Sequence, residues 1–299
     1  MRALLVISIF LIISPFAETA FEDIVLSPRA LAMGETASSS ADGLNFMWNP
    51  SLISRVKSME AMFSYLALYP WVELNLYPGE RERIGYHMIL CSLPLGRGRG
   101  IGLGWLSFRS ALYLENTLNL AYGERFIRIL RLGCAVRFLN RSLRRNEYAR
   151  LNPELIGTGF SKNALTFDVG LLMDLDSLKL GASITGLYPA DIGFISGEIL
   201  PSTIRIGIGR FTERYTLSGE IRVRNGKKGF GVGFERRFLH GDFALRIGLS
   251  DETVGLGWGY KLRLGGHVVG FDYAFIYPIS RLKGTYGSHL FSLRLTDRP

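Results

Sequence analysis

Val254-Gly255-Leu256-Gly257-Trp258-Gly259-Tyr260-Lys261-Leu262 sets a large apolar side chain at every second position, with glycine or lysine between. Successive side chains of an extended strand point to opposite faces, so this stretch has one greasy face and one face of hydrogen atoms and charge. Wound as a helix, it would mix the two kinds around its circumference. The same period of two recurs up the chain: Leu132 to Phe138 against Arg131, Gly133, Ala135 and Arg137; Leu165 to Met173 against Thr166, Asp168 and Gly170; Ile204, Ile206 and Ile208 against Arg205, Gly207 and Gly209. Near the start of the series Ile84, Tyr86, Met88 and Leu90 form the apolar set, and Gly85, His87 and Ile89 the other. From a less regular first strand at Met59 to Leu68, the series comes to about 14 strands of roughly 8–12 residues, the length that crosses a bilayer when tilted.

Three features favour a membrane barrel over a soluble sandwich. A leader-like start carries Arg2, an apolar run Ala3–Ile13, the breaker Pro15 and small residues at Ala17, Thr19 and Ala20, which predicts export and cleavage between Ala17 and Ala20. Aromatics cluster at strand ends, among them Tyr65, Trp105, Phe108, Tyr188 and Tyr277, as in interfacial girdles. Connections alternate in length. One set (69–81, 109–114, 140–161, 188–200, 225–228, 250–252, 277–287) holds every long loop, and the other (94–99, 124–128, 174–177, 212–214, 239–241, 264–266) is uniformly short. Outer-membrane barrels place long loops outside and short turns in the periplasm. Closure is required, because an open sheet edge in lipid leaves amides unpaired. The reading is an all-β protein: a transmembrane, antiparallel, up-and-down β-barrel with an N-terminal plug, divided as leader 1–20, plug 21–58 and barrel 59–299.

The plug stretch, Ser27 to Ser54, reads SPRALAMGETASSSADGLNFMWNPSLIS and is too polar and small-residue-rich for a lipid-facing strand. Its boxes, Ser27-Pro28-Arg29-Ala30-Leu31-Ala32-Met33-Gly34, Ala41-Asp42-Gly43-Leu44 and Trp48-Asn49-Pro50-Ser51-Leu52, resemble the N-terminal signature of the PorV/PorQ family within the FadL-like superfamily of outer-membrane barrels. Asp272-Tyr273-Ala274-Phe275 and Gly287-Ser288-His289-Leu290-Phe291-Ser292-Leu293 resemble that family's last hairpin. The chain departs from the pattern by ending Leu295-Thr296-Asp297-Arg298-Pro299 rather than on an aromatic, which leaves Phe291 or Leu295 as the insertion signal. The resemblance implies a segment folded up into the barrel. Asn45 to Pro50 then turn Phe46 and Trp48 against the wall, Met33-Gly34 allow close backbone approach, and Arg29 is placed to pair with Asp168, Glu220 or Asp272. A segment that merely caps the periplasmic mouth is the alternative.

The formal charge of +9 is scattered over alternate strand positions, with no basic helix and no aromatic RNA-binding box, so nucleic acid is not an expected partner. Luminal positions carry both signs: Arg131, Arg137, Asp168, Lys179, Arg205, Glu220, Arg222, Lys261, Asp272 and Arg294. That mixture suits ion pairing across a filled interior better than a one-sign pore. The longest loop brings Arg141, Arg144, Arg145 and Arg150, either a docking surface for lipopolysaccharide or a partner, or a solvated loop. Cys91 and Cys134 differ in strand parity, which predicts opposite faces and no disulfide. The four histidines lack metal-ligand spacing, no glycine-rich phosphate loop opens a helix, and Ser288-His289 diverge on a strand, so neither catalysis nor a cofactor is expected. What the resemblance implies is a component of protein secretion or cell-surface attachment that binds cargo or partner subunits. The alternatives are a FadL-like transporter of hydrophobic small molecules, with Phe194, Ile195 and Ile199 at its mouth, and a purely structural barrel. A transporter should show an apolar pocket between outer loops and plug, and a break in the wall.

Overall fold

The computed structural model describes residues 20–70, 74–77, 80–82, 84–110, 113–143, 160–194, 197–279 and 286–297. Residues 1–19, Arg144, Arg145, Arg150 and Ile195 lie outside them. The strands are β1 Glu60–Leu68, β2 Leu74–Tyr77, β3 Glu80–Glu82, β4 Ile84–Gly96, β5 Arg99–Arg109, β6 Tyr113–Arg125, β7 Leu130–Leu143 and β8 Ser161–Leu175. They continue with β9 Leu178–Thr185, β10 Thr203–Phe211, β11 Tyr215–Arg224, β12 Lys227–Phe238, β13 Phe243–Ser250, β14 Thr253–Leu264, β15 His267–Pro278 and β16 Ser288–Asp297.

Fourteen of these strands form one closed antiparallel barrel in chain order, shut where β1 pairs with both β4 and β16. At the seam Tyr65 faces His87 on one side and Phe291 on the other. Closure leaves the sheet without a free edge over most of its height, as lipid demands. The short strands β2 and β3 pair only with each other and make a small hairpin inside the first long connection, which the sequence pattern did not announce.

Burial alternates along the strands as the sequence alternates. In β10 the isoleucines Ile204, Ile206 and Ile208 are exposed, and Thr203, Arg205, Gly207 and Gly209 are buried. Leu103, Leu118, Leu120, Ile221 and Phe271 belong to the same outer band. So large an apolar surface is at home in a bilayer rather than in water. Connections at one end are the long ones; those at the other, such as 97–98, 176–177 and 265–266, are tight.

Two expectations about facing are corrected. In β4 it is Tyr86, Met88 and Leu90 that point inward, while Ile89, Cys91 and Leu93 face out. This part of the wall is apolar on both sides, because the chain segment inside the barrel offers it an apolar partner: Met62, Leu66, Met88, Leu90 and Leu290 share one core cluster with Leu26, Phe46 and Met47. Cys91 and Cys134 therefore both lie on the outer surface, and both are free. Strands β5 and β6 separate them, and that spacing, not opposite facing, keeps them apart.

The interior is filled by residues 24–56, nearly all buried. The wall admits this backbone because it carries glycine where the segment passes. A Cβ on Gly133 would collide with the backbone of Pro50 and Ser51, and one on Gly231 with the carbonyl of Gly34. Gly34 itself has φ +68°, the left-handed region that suits glycine. Gly133→Val is accordingly expected to lower stability in detergent by about 1–3 kcal/mol, as overpacking does. Cys134→Val, one residue on and facing out, should be near neutral. Denaturant unfolding of both variants checks this.

Candidate functional site

The segment inside the barrel folds by side-chain capping. Ser27 precedes a one-turn helix, α1, Pro28–Ala32, and its hydroxyl accepts from the Ala30 N–H. Proline is tolerated in a first turn because its missing N–H has no partner there anyway. Asp42 caps a 3-10 turn at Gly43–Met47 by accepting from Leu44 N–H at 3.0 Å. Asn49 caps a second at Pro50–Arg55 by accepting from Ser51 N–H at 3.1 Å. The Asn49 amide also donates to Ser38 O at 2.7 Å and to the wall carbonyl of Leu171 at 3.1 Å. One side chain thus shapes the segment and ties it to the barrel. Asn45 is buried, and its side-chain amide has no hydrogen-bond partner among the described residues. Phe46 and Trp48 are buried, with Phe46 against Gly102 and the Trp48 carbonyl accepting from Ser183 Oγ at 2.7 Å. The Met33 backbone lies over Gly233 and Gly248.

Charges then bolt segment to wall. Arg205, wholly buried, donates to Asp23 at 2.9 Å and to Glu220 at 2.6 Å. Glu220 also accepts from Ala37 N–H at 2.9 Å and from Ser38 N–H at 2.7 Å. Arg29 makes a two-point contact with Glu235, both at 2.8 Å. Arg246 links Glu235 to Asp272, and Arg237 also reaches Glu235. Arg222 pairs with Glu35 and Arg294 with Asp42. Arg55, Arg131 and Lys179 converge on Asp174. Arg137 pairs with Asp168 at 2.6 Å and donates to the Met47 carbonyl.

The luminal charges expected from sequence belong to this network except Lys261, which is exposed and has no ion pair among the described residues; one change of partner stands out. Arg29 pairs with Glu235, and reaches Asp272 only through Arg246. Glu235 alternates with Phe234 and so faces the lumen, a signal that was legible. Asp23, Glu35 and Asp42 sit on the segment, where no periodicity marks them. Arg141 is also repositioned. It lies near the end of β7, pairs with Glu198, donates to the Ile192 carbonyl at 3.1 Å, and stacks on Tyr113 and Phe194 at 5.1 and 5.0 Å. It is held under the loops rather than presented above them. No group of three or more metal-ligating side chains gathers among the described residues.

Above the segment, at the long-loop end, a recess encloses about 620 Å³ including its open mouth. Its lining is mixed: Phe21, Ile24, Met47, Trp48, Tyr86, Leu106, Phe108, Leu139 and Leu200 are apolar, and Glu22, Asp23, Glu115, Arg137 and Arg224 bring charge. The wall beside it has a step. Strand β8 pairs with β7 from Ser161 to Met173, but with β9 only from Val169 onward. Residues 161–168 have no strand beyond them on that side, and the connection from β9 to β10 covers them instead. Leu187 N–H donates to Phe167 O and Thr166 Oγ to Tyr188 O, each at 2.8 Å, and Lys162 pairs with Asp191 at 2.8 Å. Lys162 and the Gly193 N–H hold the Asp191 carboxyl below its usual range. A carboxylate with a depressed pKa keeps its partner as pH falls through about 4 and loses it only below. Ala190, Ile192 and Leu200 pack on Leu139 behind the step, and Ile199 stays exposed.

Removing one member of a buried network strands the others. Glu235→Gln leaves Arg29 and Arg246 without their shared carboxylate and is expected to destabilise by about 3–5 kcal/mol. Asp191→Asn, on an exposed pair, should cost far less. Denaturant unfolding in detergent, run on both variants, separates the two.

No protein-family model and no curated protein matches the sequence. Solved structures do match. The chain superposes on the CymD monoaromatic hydrocarbon channel with TM-score 0.66 at 11% identity, covering 94% of this chain and 99% of that one. The Pseudomonas putida toluene transporter TodX gives 0.63 at 13% identity, covering 93% and 98%. A Pseudomonas aeruginosa FadL homologue gives 0.62 at 11%, covering 91% and 98%. At such identities the likeness is one of fold: this chain shares the closed 14-stranded antiparallel barrel of these outer-membrane channels.

Proposed function

We propose that the protein is an outer-membrane channel for small hydrophobic molecules, its long loops outside and residues 21–58 acting as its plug. The observation that carries this reading is the partly apolar recess between the long-loop end and the luminal segment, placed beside the step between β8 and β9. These are the two features a transporter of this class needs: a place for an apolar ligand to leave water, and a weak point in the wall close by. The fold neighbours named for hydrocarbon and toluene transport support it over a role in secretion. The charged network fills the lumen below the recess, so passage straight through requires the segment to shift, and the covered step is the shorter way out. A second reading rests on the PorV/PorQ-like boxes at Ser27–Leu52 and Asp272–Leu293, which favour cargo or a secretion subunit bound at the loops.

Uptake of labelled toluene by cells with an intact lipopolysaccharide layer tests the proposal. Cells making the protein should take it up faster than cells without it. Leu106→Arg, which sets a charge in the apolar part of the recess, should cut the gain by about tenfold or more. Equal uptake with and without the protein, or a stoichiometric exported protein co-purifying from the native membrane, would overturn it.

A further inference from the structure

The floor of the recess contains an arrangement that transport does not explain. The backbone nitrogen of Phe21 lies 2.9 Å from both carboxylate oxygens of Glu115, a residue 94 positions away on the luminal face of β6. A peptide N–H has one proton and serves one acceptor well; an ammonium has three. Glu115 is only 6% exposed, and among the described residues it has no Lys or Arg at ion-pair distance; the hydroxyl of Tyr113 is its other donor. Arg141 stands opposite it in β7 but gives its ion pair to Glu198, so this buried carboxylate has a cation nearby and none in contact, which is costly. The neighbouring nitrogen, that of Ala20, meets Glu198 at 3.3 Å, but Glu198 already has Arg141. The demand for positive charge is therefore specific to residue 21.

Backbone geometry marks the same residue. Phe21 has φ +59°, in the left-handed region that a bulky side chain seldom adopts. A first residue has no preceding carbonyl and hence no such restriction. In the sequence Ala20 closes the leader pattern of Arg2, Ala3–Ile13 and Pro15 with a small residue, although Glu18, three positions before the cut, departs from the Ala-x-Ala form.

We infer that the mature chain begins at Phe21 and that its new α-ammonium is captured by Glu115. An export-side peptidase adds water across the Ala20–Phe21 amide. The leader keeps a carboxylate on Ala20, and the freed amine of Phe21 takes a proton to become the ammonium. The folding barrel then closes over it. Capture places the first residues of the mature chain, Phe21 to Ile24, in the lining of the recess and removes the two costs seen at this point, the carboxylate without a contacting cation and the left-handed phenylalanine. The inference stands whether or not the recess carries hydrocarbons.

The intact mass of protein purified from the outer membrane should correspond to Phe21–Pro299. A chain that starts at any other residue overturns the inference. Labelling of the folded protein with an amine-reactive ester at pH 8 then reads the capture. A paired, buried ammonium should have a raised pKa, and its α-amine should react about tenfold more slowly than that of a free peptide of the same first residues. Glu115→Gln should restore the peptide's rate, and Glu198→Gln should leave the protection in place. If the wild-type α-amine reacts as fast as the peptide, capture by Glu115 is wrong; this comparison holds even where Glu115→Gln fails to assemble.

Discussion

Charge inside a lipid-surrounded wall has to be answered by opposite charge, and the rest of the interior follows from that. Arg205 is the clearest case: a guanidinium wholly out of water, with one carboxylate from the wall, Glu220, and one from the inner segment, Asp23. Neither carboxylate alone leaves the group satisfied, since five N–H donors need several acceptors. The same division recurs at Arg222 with Glu35 and at Arg294 with Asp42, where the wall supplies the cation and the segment the anion. At Arg29 with Glu235 the roles reverse. An ion pair of this kind adds little net stability against an apolar alternative, but it is intolerant of misplacement. The network therefore acts chiefly as a register device, holding a segment of little regular structure in one path through the lumen.

Close approach is the second half of that device. The segment has short helical turns and no long element of its own, so its backbone must lie against the wall to reach its partners. Glycine on the luminal face makes the approach possible at Gly133, Gly181 and Gly231, where the facing atoms belong to backbone and cannot swing aside. Asn49 joins the two halves, capping a turn with its oxygen while its nitrogen spans from Ser38 to Leu171. The recess opens where this packing stops, between the top of the segment and the loops, and the covered step in β8 lies at the same level.

Period-two alternation made the barrel legible, because a lipid-facing strand cannot hide its pattern: Ile204, Ile206 and Ile208 fix their strand's facing unaided. The alternation misled at β4, where Tyr86, Met88 and Leu90 turn inward. Parity reports that two faces differ, and it reports which is lipid-facing only if the other is polar. There the apolar segment core removes the distinction. The luminal basic residues were visible as charges at alternate positions, but their partners Asp23, Glu35 and Asp42 were not, since an irregular segment has no period to reveal a facing. The β8 step was also hidden. It depends on where pairing ends, and β8 itself alternates without interruption through Leu165, Phe167 and Val169.

Residues 24–56 occupy the barrel interior along one defined path. Thr36 and Ser218 test it most directly, for their hydroxyl oxygens lie 2.6 Å apart across the contact between segment and wall. In a chain with Cys91 and Cys134 replaced by serine, Thr36→Cys with Ser218→Cys should form a disulfide in the outer membrane, seen as a reducible shift in the denatured protein's migration. Each single variant should show none. Two thiols that stay free and both react with a soluble maleimide in the folded protein would contradict the account, because the segment would then lie outside the lumen.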